Sequence, residues 1–498
     1  MMDKANKSLK GMTVIDTNTL NRAQDQTAAF DFPLRDMDFA NSDAYRLLQH
    51  QKGKKSSSWL FFPGCQLGAS LPEQVKKTYG LLCDSLSGGV GIMLQCCGAP
   101  AVWAGRLDKS EEVWGRLQTD WSRMGGPAII ACCPGCYKIL KKNLPGATIK
   151  FLTEIIDETT MEKLMFRNDS YAGAAEKMDV AYHDPCASRD EKAVQDSSRD
   201  LLEKLGYRVS ELPCSRSTAK CCGYAELHYG TDPESAGRIC VDRIGESALP
   251  YATSCSNCRD MFVGEGKDAR HLLELMWPGE SGSGSGPGLD FSRRREARKK
   301  LKNELSYGAS GRSVPSFDFR RPAVIFSEDI RKLMVKRQIL EDDIEGAIIM
   351  AENSGQKILL PQTRHYVAGY QPSAVACWVE YSRDKGRYII HNCYSHRLQI
   401  EGIPRQVQED SAGRCMQPIE DADVMSGRNE AFENADPVCM RCGICLEGLH
   451  ISAFCPGVLK DICIQACPTC GQIYVPECAA SAMRDVSVKL LWENRRKK

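Results

Sequence analysis

A chain of 498 residues has room for about three domains, and its 65 Lys and Arg against 64 Asp and Glu leave a net charge of +1, which points to no nucleic-acid partner and no acidic substrate. The 25 cysteines are the deviation: in a chain this long, with cysteine doublets and an opening MMDKANKSLKGM that lacks an apolar signal segment, they predict metal ligation in a reducing cytoplasm rather than a disulfide framework. With no apolar run of about 18 residues, no membrane span is expected, although the protein can still dock peripherally on a membrane-embedded complex.

Residues 1–56 are polar and weakly patterned and read as an N-terminal tail, with one short helix near Ser42–Gln51. A first region, 57–165, opens with the apolar run Ser58-Trp59-Leu60-Phe61-Phe62. It reads as a buried strand broken by Pro63-Gly64, which leaves Cys65 in the following loop. A helix over Leu71–Ser85 follows, then a strand over Val90–Leu94 ending at Cys96-Cys97, and another over Ala128–Ala131 ending at Cys133. A second region, 166–278, repeats the scheme: Asp179–Tyr182 leads into His183-Asp184-Pro185-Cys186, a helix lies around Ser198–Gly206, and Ala252-Thr253-Ser254 precedes Cys255. Each cysteine group thus falls near the end of a strand, where ligands gather in an open α/β sheet.

The repetition is quantitative. Cys65, Cys96-Cys97-Gly98 and Cys133-Pro134-Gly135-Cys136 recur as Cys186, Cys221-Cys222-Gly223 and Cys255-Ser256-Asn257-Cys258, at offsets of 121, 125 and 122 residues, the mark of an internal duplication. Thiolates are the preferred ligands of iron-sulfur clusters, and five per region exceed the four that a zinc site uses. Adjacent cysteine side chains diverge, so the doublets suit different irons of one cluster, and the glycine after each lets the backbone pass close to the metal.

This layout resembles the CCG, or cysteine-rich, domain of the heterodisulfide reductases and their relatives, among them iron-sulfur subunits of glycolate oxidases and of anaerobic respiratory complexes. The resemblance covers roughly residues 57–275. It implies two noncubane [4Fe-4S] clusters, one held by Cys65, Cys96, Cys97, Cys133 and Cys136, the other by Cys186, Cys221, Cys222, Cys255 and Cys258.

Residues 279–311 comprise a Gly/Ser-rich flexible linker, Gly279–Gly288, and a basic helix whose run Arg293–Lys302 reads as a solvated face. Residues 312–402 look like a small α+β module, with an amphipathic helix over Leu340–Asn353 stopped by Gly355. A hairpin, Ala374–Tyr381 with Arg387–Ile400, turns through Asp384-Lys385-Gly386. On it His391 and Cys393 alternate onto one face near His396 and Cys377; packing is the expected role of all four, with a small metal site as the alternative.

Residues 403–498 hold a second cysteine group: Cys439, Cys442, Cys445, Cys455, Cys463, Cys467, Cys470 and Cys478. The opening Cys-x2-Cys-x2-Cys and the Cys-Pro pairs resemble ferredoxin modules, which implies one or two cubane [4Fe-4S] clusters. The rival reading takes Cys439-x2-Cys442-Gly443 and Cys467-x2-Cys470-Gly471 as the two knuckles of a zinc ribbon holding one Zn. The iron-sulfur reading is favoured because it leaves no cysteine of this group idle. Cys415 stands apart, and the lone cysteines 83, 132, 214 and 240 are expected to pack.

The expected whole is an α/β protein: two tandem CCG units with strand-end cysteine ligands, then the α+β module and the Cys-rich ferredoxin-like or zinc-ribbon-like module. No flavin- or nicotinamide-binding loop is present, so electrons are expected to pass to or from a flavin- or ferredoxin-type partner subunit. The resemblance implies thiol or disulfide redox chemistry on a small disulfide substrate at the paired clusters. His183, three residues before Cys186, is the candidate acid for the departing thiolate, and His228 a weaker one. The alternatives are a non-catalytic electron-transfer and docking subunit of a larger redox complex, and a scaffold in which clusters only hold the fold.

Overall fold

The structure, a computed structural model, describes residues 28–167, 178–224, 226, 229, 233–278, 291–310, 323–371, 375–396, 436–455, 458–470 and 472–483. The chain divides into two compact units: Phe32–Val314, and a second made of Pro315–Lys498 with Met1–Asp31. His228, Cys415 and the Gly/Ser stretch fall outside the described residues.

The first unit contains both duplicated regions. After α1 (Ala28–Ala40) and β1 (Leu47–Gln49), the first region runs β2 (Trp59–Phe62), α2 (Cys65–Ser70), α3 (Pro72–Ser85), β3 (Val90–Leu94), α4 (Ala99–Trp103), α5 (Leu107–Arg123), β4 (Ala128–Ala131), α6 (Pro134–Asn143), β5 (Ile149–Phe151) and α7 (Glu158–Phe166). The second runs β6 (Asp179–His183), α8 (Lys192–Lys204), β7 (Arg208–Glu211), α9 (Pro233–Ile244), β8 (Tyr251–Thr253), α10 (Ser256–Gly264), β9 (Ala269–His271) and α11 (Leu272–Met276). The strand orders are β1-β3-β2-β4-β5 and β7-β6-β8-β9. Apart from the antiparallel β1, every pairing in both sheets is parallel. Numbering the parallel strands within each region gives the same 2-1-3-4 order twice, so each sheet reverses direction between its first and third strands: between β2 and β4, and between β6 and β8. A crevice opens outside the carboxyl ends of the strands at such a switch point. Cys65 follows β2, Cys96-Cys97 follows β3 and Cys133 follows β4, so three loops deliver thiols to one end of the sheet. The same holds for Cys186 after β6 and Cys255 after β8, with Cys221-Cys222 in the loop beyond β7.

Two expectations about this unit need correction. The stretch read as a tail supplies α1 and β1; Leu47–Gln49, expected as helix, pairs with Ile92–Leu94 because it completes the sheet edge and covers the core. The basic run is not solvated. It lies in α12 (Phe291–Ser310), where Arg294, Arg298, Leu301 and Leu305 recur at helical spacing and are all buried. Arg298 grips the Asp36 carboxylate at 2.6 and 3.0 Å and donates Nε to the Cys65 carbonyl at 2.8 Å. Arg294 pairs with Asp260, which also accepts from Ser70 Oγ at 2.8 Å. One helix thereby ties α1, the first cysteine loop and the second region together.

In the second unit β10 (Val324–Ile325), α13 (Glu328–Arg337), α14 (Glu341–Ser354), β11 (Ile358–Leu360), β12 (His365–Tyr370), β13 (Ala376–Asp384) and β14 (Arg387–His396) form the α+β module. Its sheet, β10-β14-β13-β12-β11-β15-β16, is completed by β15 (Val438–Cys439) and β16 (Ile444–Cys445) from the cysteine-rich region. The two modules expected to part near residue 402 therefore share a sheet. A three-stranded sheet follows: β17 (Glu447–Cys455), β18 (Val458–Ala466) and β19 (Ile473–Tyr474). On the β13–β14 hairpin Glu380 pairs with Asn392 but Tyr381 with Ile390, so His391 is the extra residue of a bulge. The bulge breaks the expected alternation: His391 is exposed and stacks on His365 at 3.7 Å, whereas Cys393 is buried in the core with Cys377.

Candidate metal centres

In the first region neighbouring thiols couple electrostatically in the order Cys65, Cys96, Cys97, Cys136 and Cys133. In the second the order is Cys186, Cys221, Cys222, Cys258 and Cys255. Each set of five cysteines from three loops has therefore come together in the same order. Cys65 opens α2, and Cys133 and Cys255 cap the N-termini of α6 and α10, where backbone N–H groups and the helix dipole favour anionic sulfur. Hydrogen bonds from Cys136 and Cys96 outweigh burial and bring Cys97 down to about 6. Cys255 is lowered in the same way through Cys258. Hydrogen bonding to Cys133 and Cys97, with burial, holds Cys136 well up. Five crowded sulfurs, buried or half-buried, cannot all ionise unless cations lie among them. By contrast, burial, helped by a nearby carboxylate in each case, pushes the lone Cys240 up to about 12 and Cys83 up to about 11, as expected of packing thiols.

The glycines show how closely the backbone is drawn in. Gly64 has φ 86°, and a β-carbon there would sit 3.0 Å from Cys136 Sγ, inside the thiol group. Gly98 and Gly223, expected to let the backbone approach metal, serve differently. Both are left-handed, and a β-carbon at Gly98 would meet Val113 and Trp114, while one at Gly223 would lie 2.4 Å from the Ala236 carbonyl oxygen. They seat the doublet loops against α5 and α9. Gly223→Ala should therefore cost about 1–3 kcal/mol in strain and lower the metal content of the second site alone, which metal analysis beside a Cys222→Ser control measures.

The surroundings of the two sites differ. Tyr45 and Tyr224 lie buried near Cys65, and burial raises both phenols far above their usual range. Trp103 of the first region meets Tyr224 of the second edge-on at 6.1 Å. Beside the second site, His183 ends β6 completely buried, with an imidazole nitrogen, Cys222 Sγ and Cys258 Sγ all within 4.8 Å of one another. Burial, reinforced by Arg243, depresses its pKa to about 3. It is a neutral imidazole at neutral pH, shut off from solvent, which does not suit the general acid expected from sequence. Arg243, Tyr45, Asp36 and Arg298 carried no motif; only the spacing of Arg294, Arg298, Leu301 and Leu305 hinted that α12 has a buried stripe.

In the second unit the structure brings together four of the eight cysteines. Cys439, Cys442, Cys467 and Cys470 place their sulfurs within 4.8 Å of one another, with Cys439 Sγ 3.7 Å from Cys470 Sγ. That distance is the edge of a tetrahedron of thiolates about 2.3 Å from one central ion. The amides of Cys442 and Gly443 donate to the Cys439 carbonyl at 3.2 and 2.8 Å, and the Cys467 amide to Gln472 at 2.9 Å, tight turns that point both thiols of each pair inward. A hydrogen bond from Cys439, working against burial, lowers Cys467 to about 5. Cys445, Cys463 and Cys478 stand outside this group, the last two exposed, and the side chain of Cys455 is outside the described residues. Among the described residues, the four cysteines of the two Cys-x2-Cys pairs are what has converged.

Comparison with known proteins agrees with the duplication. The cysteine-rich domain family named CCG matches residues 59–141 and again 180–262. The chain is similar to one subunit of the fumarate reductase (CoM/CoB) of Methanothermobacter marburgensis, 28% identical over 178 residues, which are 33% of this chain and 32% of that protein. It is also similar to an uncharacterised iron-sulfur protein of Methanocaldococcus jannaschii, 25% identical over 33% of this chain and 31% of the relative. The glycolate oxidase iron-sulfur subunit of Escherichia coli is 24% identical over 249 residues, 44% of this chain and 56% of that one. The chain thus spans about a third of the length of the first two relatives. No helix among the described residues is long and apolar enough to cross a membrane.

Proposed function

From the premise that this is a protein with two cysteine-rich CCG domains, we propose that it is the iron-sulfur subunit of an oxidoreductase. Its paired five-cysteine sites would hold two noncubane [4Fe-4S] clusters and carry out thiol and disulfide redox chemistry, exchanging electrons with a flavin- or ferredoxin-type partner subunit. The fumarate reductase and glycolate oxidase relatives are both named as parts of larger enzymes, which supports a partner. A cytoplasmic setting fits the free thiols. The observation that carries the reading is the convergence, twice over, of five buried or half-buried cysteines at a sheet switch point, a donor set richer than any single metal ion needs.

When bound, such clusters supply one-electron steps and an iron that can accept a substrate sulfur. Splitting a disulfide into two thiols consumes two electrons and two protons, so two one-electron sites in one unit match its demand. The chain's own groups exclude water around the first site: Tyr45, Tyr224 and Arg298 are buried beside Cys65. For the second unit we propose a single zinc on Cys439, Cys442, Cys467 and Cys470, which would hold the β15–β16 turn to β18 and β19 rather than relay electrons.

Metal analysis and substrate-dependent reoxidation test this together. Anaerobically purified protein should contain about eight irons and eight sulfides with one zinc, and the reduced protein should be reoxidised by a small organic disulfide. Full loading without reoxidation would favour the electron-transfer and docking reading. Cys467→Ser should remove the zinc and leave iron unchanged; an equal loss of iron would restore the ferredoxin assignment.

A further inference from the structure

The duplication makes the two sites comparable position by position. Phe62 closes β2 and His183 closes β6, each three residues ahead of the first cysteine of its set. The ten-cysteine pattern is therefore symmetric, but the residue at the matching strand end is not: it is phenylalanine in one region and histidine in the other.

The state of that imidazole is fixed by Arg243. A guanidinium has only donors, so the 3.2 Å contact from Arg243 Nε to His183 Nδ1 requires a lone pair on Nδ1. The proton of the neutral ring must then lie on Nε2. Arg243 cannot move aside easily: it is itself buried, bonded to the Cys214 carbonyl at 2.7 Å and paired with Glu246. Phe262 packs edge-on against the ring at 4.8 Å. Nε2 is buried and meets no protein acceptor, while the imidazole lies beside Cys222 and Cys258. The arrangement also argues against His183 as a metal ligand. A ligating histidine donates its other N–H to a neighbouring acceptor, whereas here a cation faces that nitrogen.

Resting on the iron-sulfur reading above, we propose that His183 donates its Nε2–H to sulfur of the second site, either a cysteine thiolate or a cluster sulfide. A hydrogen bond to sulfur strengthens as negative charge accumulates there, so it favours the reduced form and raises the reduction potential. One electron enters and no proton moves; His183 keeps its hydrogen throughout. Phe62 offers the first site no such donor, so His183 raises one of the paired sites and leaves the other untouched. His183 is a positioning and tuning residue, and Arg243 orients it.

The test is a redox titration of the anaerobically loaded protein followed by electron paramagnetic resonance. In His183→Phe one of the two midpoint potentials should fall and the other stay in place; His183→Gln, which keeps both an acceptor for Arg243 and an N–H, should restore most of the shift. In wild-type protein, exchange into D2O should remove a proton coupling from the spectrum of one reduced cluster, a reading that does not depend on any variant folding. Both clusters present with neither midpoint moved, or with no exchangeable coupling, overturns the donor role alone. Failure of wild-type protein to hold iron at the second site overturns the iron-sulfur reading and the proposal with it.

Discussion

The double variant Cys97→Ser, Cys222→Ser is expected to fall from about eight irons per chain to well under half of that, with zinc unchanged. Each mutated sulfur lies mid-way along its series of five, coupled to a thiol on either side: Cys97 to Cys96 and Cys136, Cys222 to Cys221 and Cys258. Removing it therefore splits the donor set, whereas removing an end member would only shorten it. The appropriate control is Cys132→Ser with Cys240→Ser. Both are buried, and burial pushes both thiols up; neither belongs to a five-thiol chain. Iron, labile sulfide and zinc measured on both proteins decide the matter, with circular dichroism to confirm folding. Iron retained by the first variant would remove the noncubane assignment and the disulfide chemistry built on it.

Asp36→Ala should be the most damaging single change away from the cysteines. The carboxylate and Arg298 are both fully buried and joined by two hydrogen bonds, and Arg298 also supports the Cys65 carbonyl. Removing the acid leaves a guanidinium without its counter-charge in the core, a loss of about 3–5 kcal/mol. For a unit of this size that lowers Tm by roughly ten degrees. The pH dependence has a definite sign. Burial opposes ionisation of Asp36, but Arg298, with Arg295 and Arg294, more than offsets it and holds the pKa below the ordinary 3.8. The stabilisation is then complete above about pH 4 and is lost as acid carries the protein through the depressed value. Thermal melts of wild type and variant should therefore converge on acidification; a constant gap down to pH 3 would contradict the assignment.

How much of this could be read from sequence follows from the physics of each element. The cysteine pattern locates both sites because metal donors must recur at fixed places, and the apolar runs Ser58–Phe62, Val90–Leu94 and Ala128–Ala131 reveal three of the parallel strands. The predicted helices 71–85 and 340–353 lie within a residue of Pro72–Ser85 and Glu341–Ser354, because Pro at one start and Gly355 at one end punctuate them. Strand β7, Arg-Val-Ser-Glu, was silent because it is a polar sheet edge held by pairing with β6. The arginines of α12 read as solvated because charge usually marks an exposed face; a lone arginine gives no sign that an aspartate more than 250 residues earlier will neutralise it. In the cysteine-rich region, spacing alone could not separate four ligands from eight. That distinction lies in which turns face inward, and it needed the register of β15–β16 and β18–β19. For His183, sequence showed its nearness to Cys186 but not its burial or Arg243, and those two facts turn an acid into a fixed donor.

The grip of Arg298 on Asp36 and the Cys65 carbonyl also has a meaning in time. A ribosome releases α1 and all ten cysteines of the two regions before it releases α12. Until then Asp36 has no cation opposite it and the Cys65 loop lacks its backbone support, while the second set of five is already bounded by its own strands. The first site in sequence therefore gains its sealing helix only after both sets of five have left the ribosome, and a nascent chain stopped after Trp277 holds every ligand cysteine of the unit without that helix.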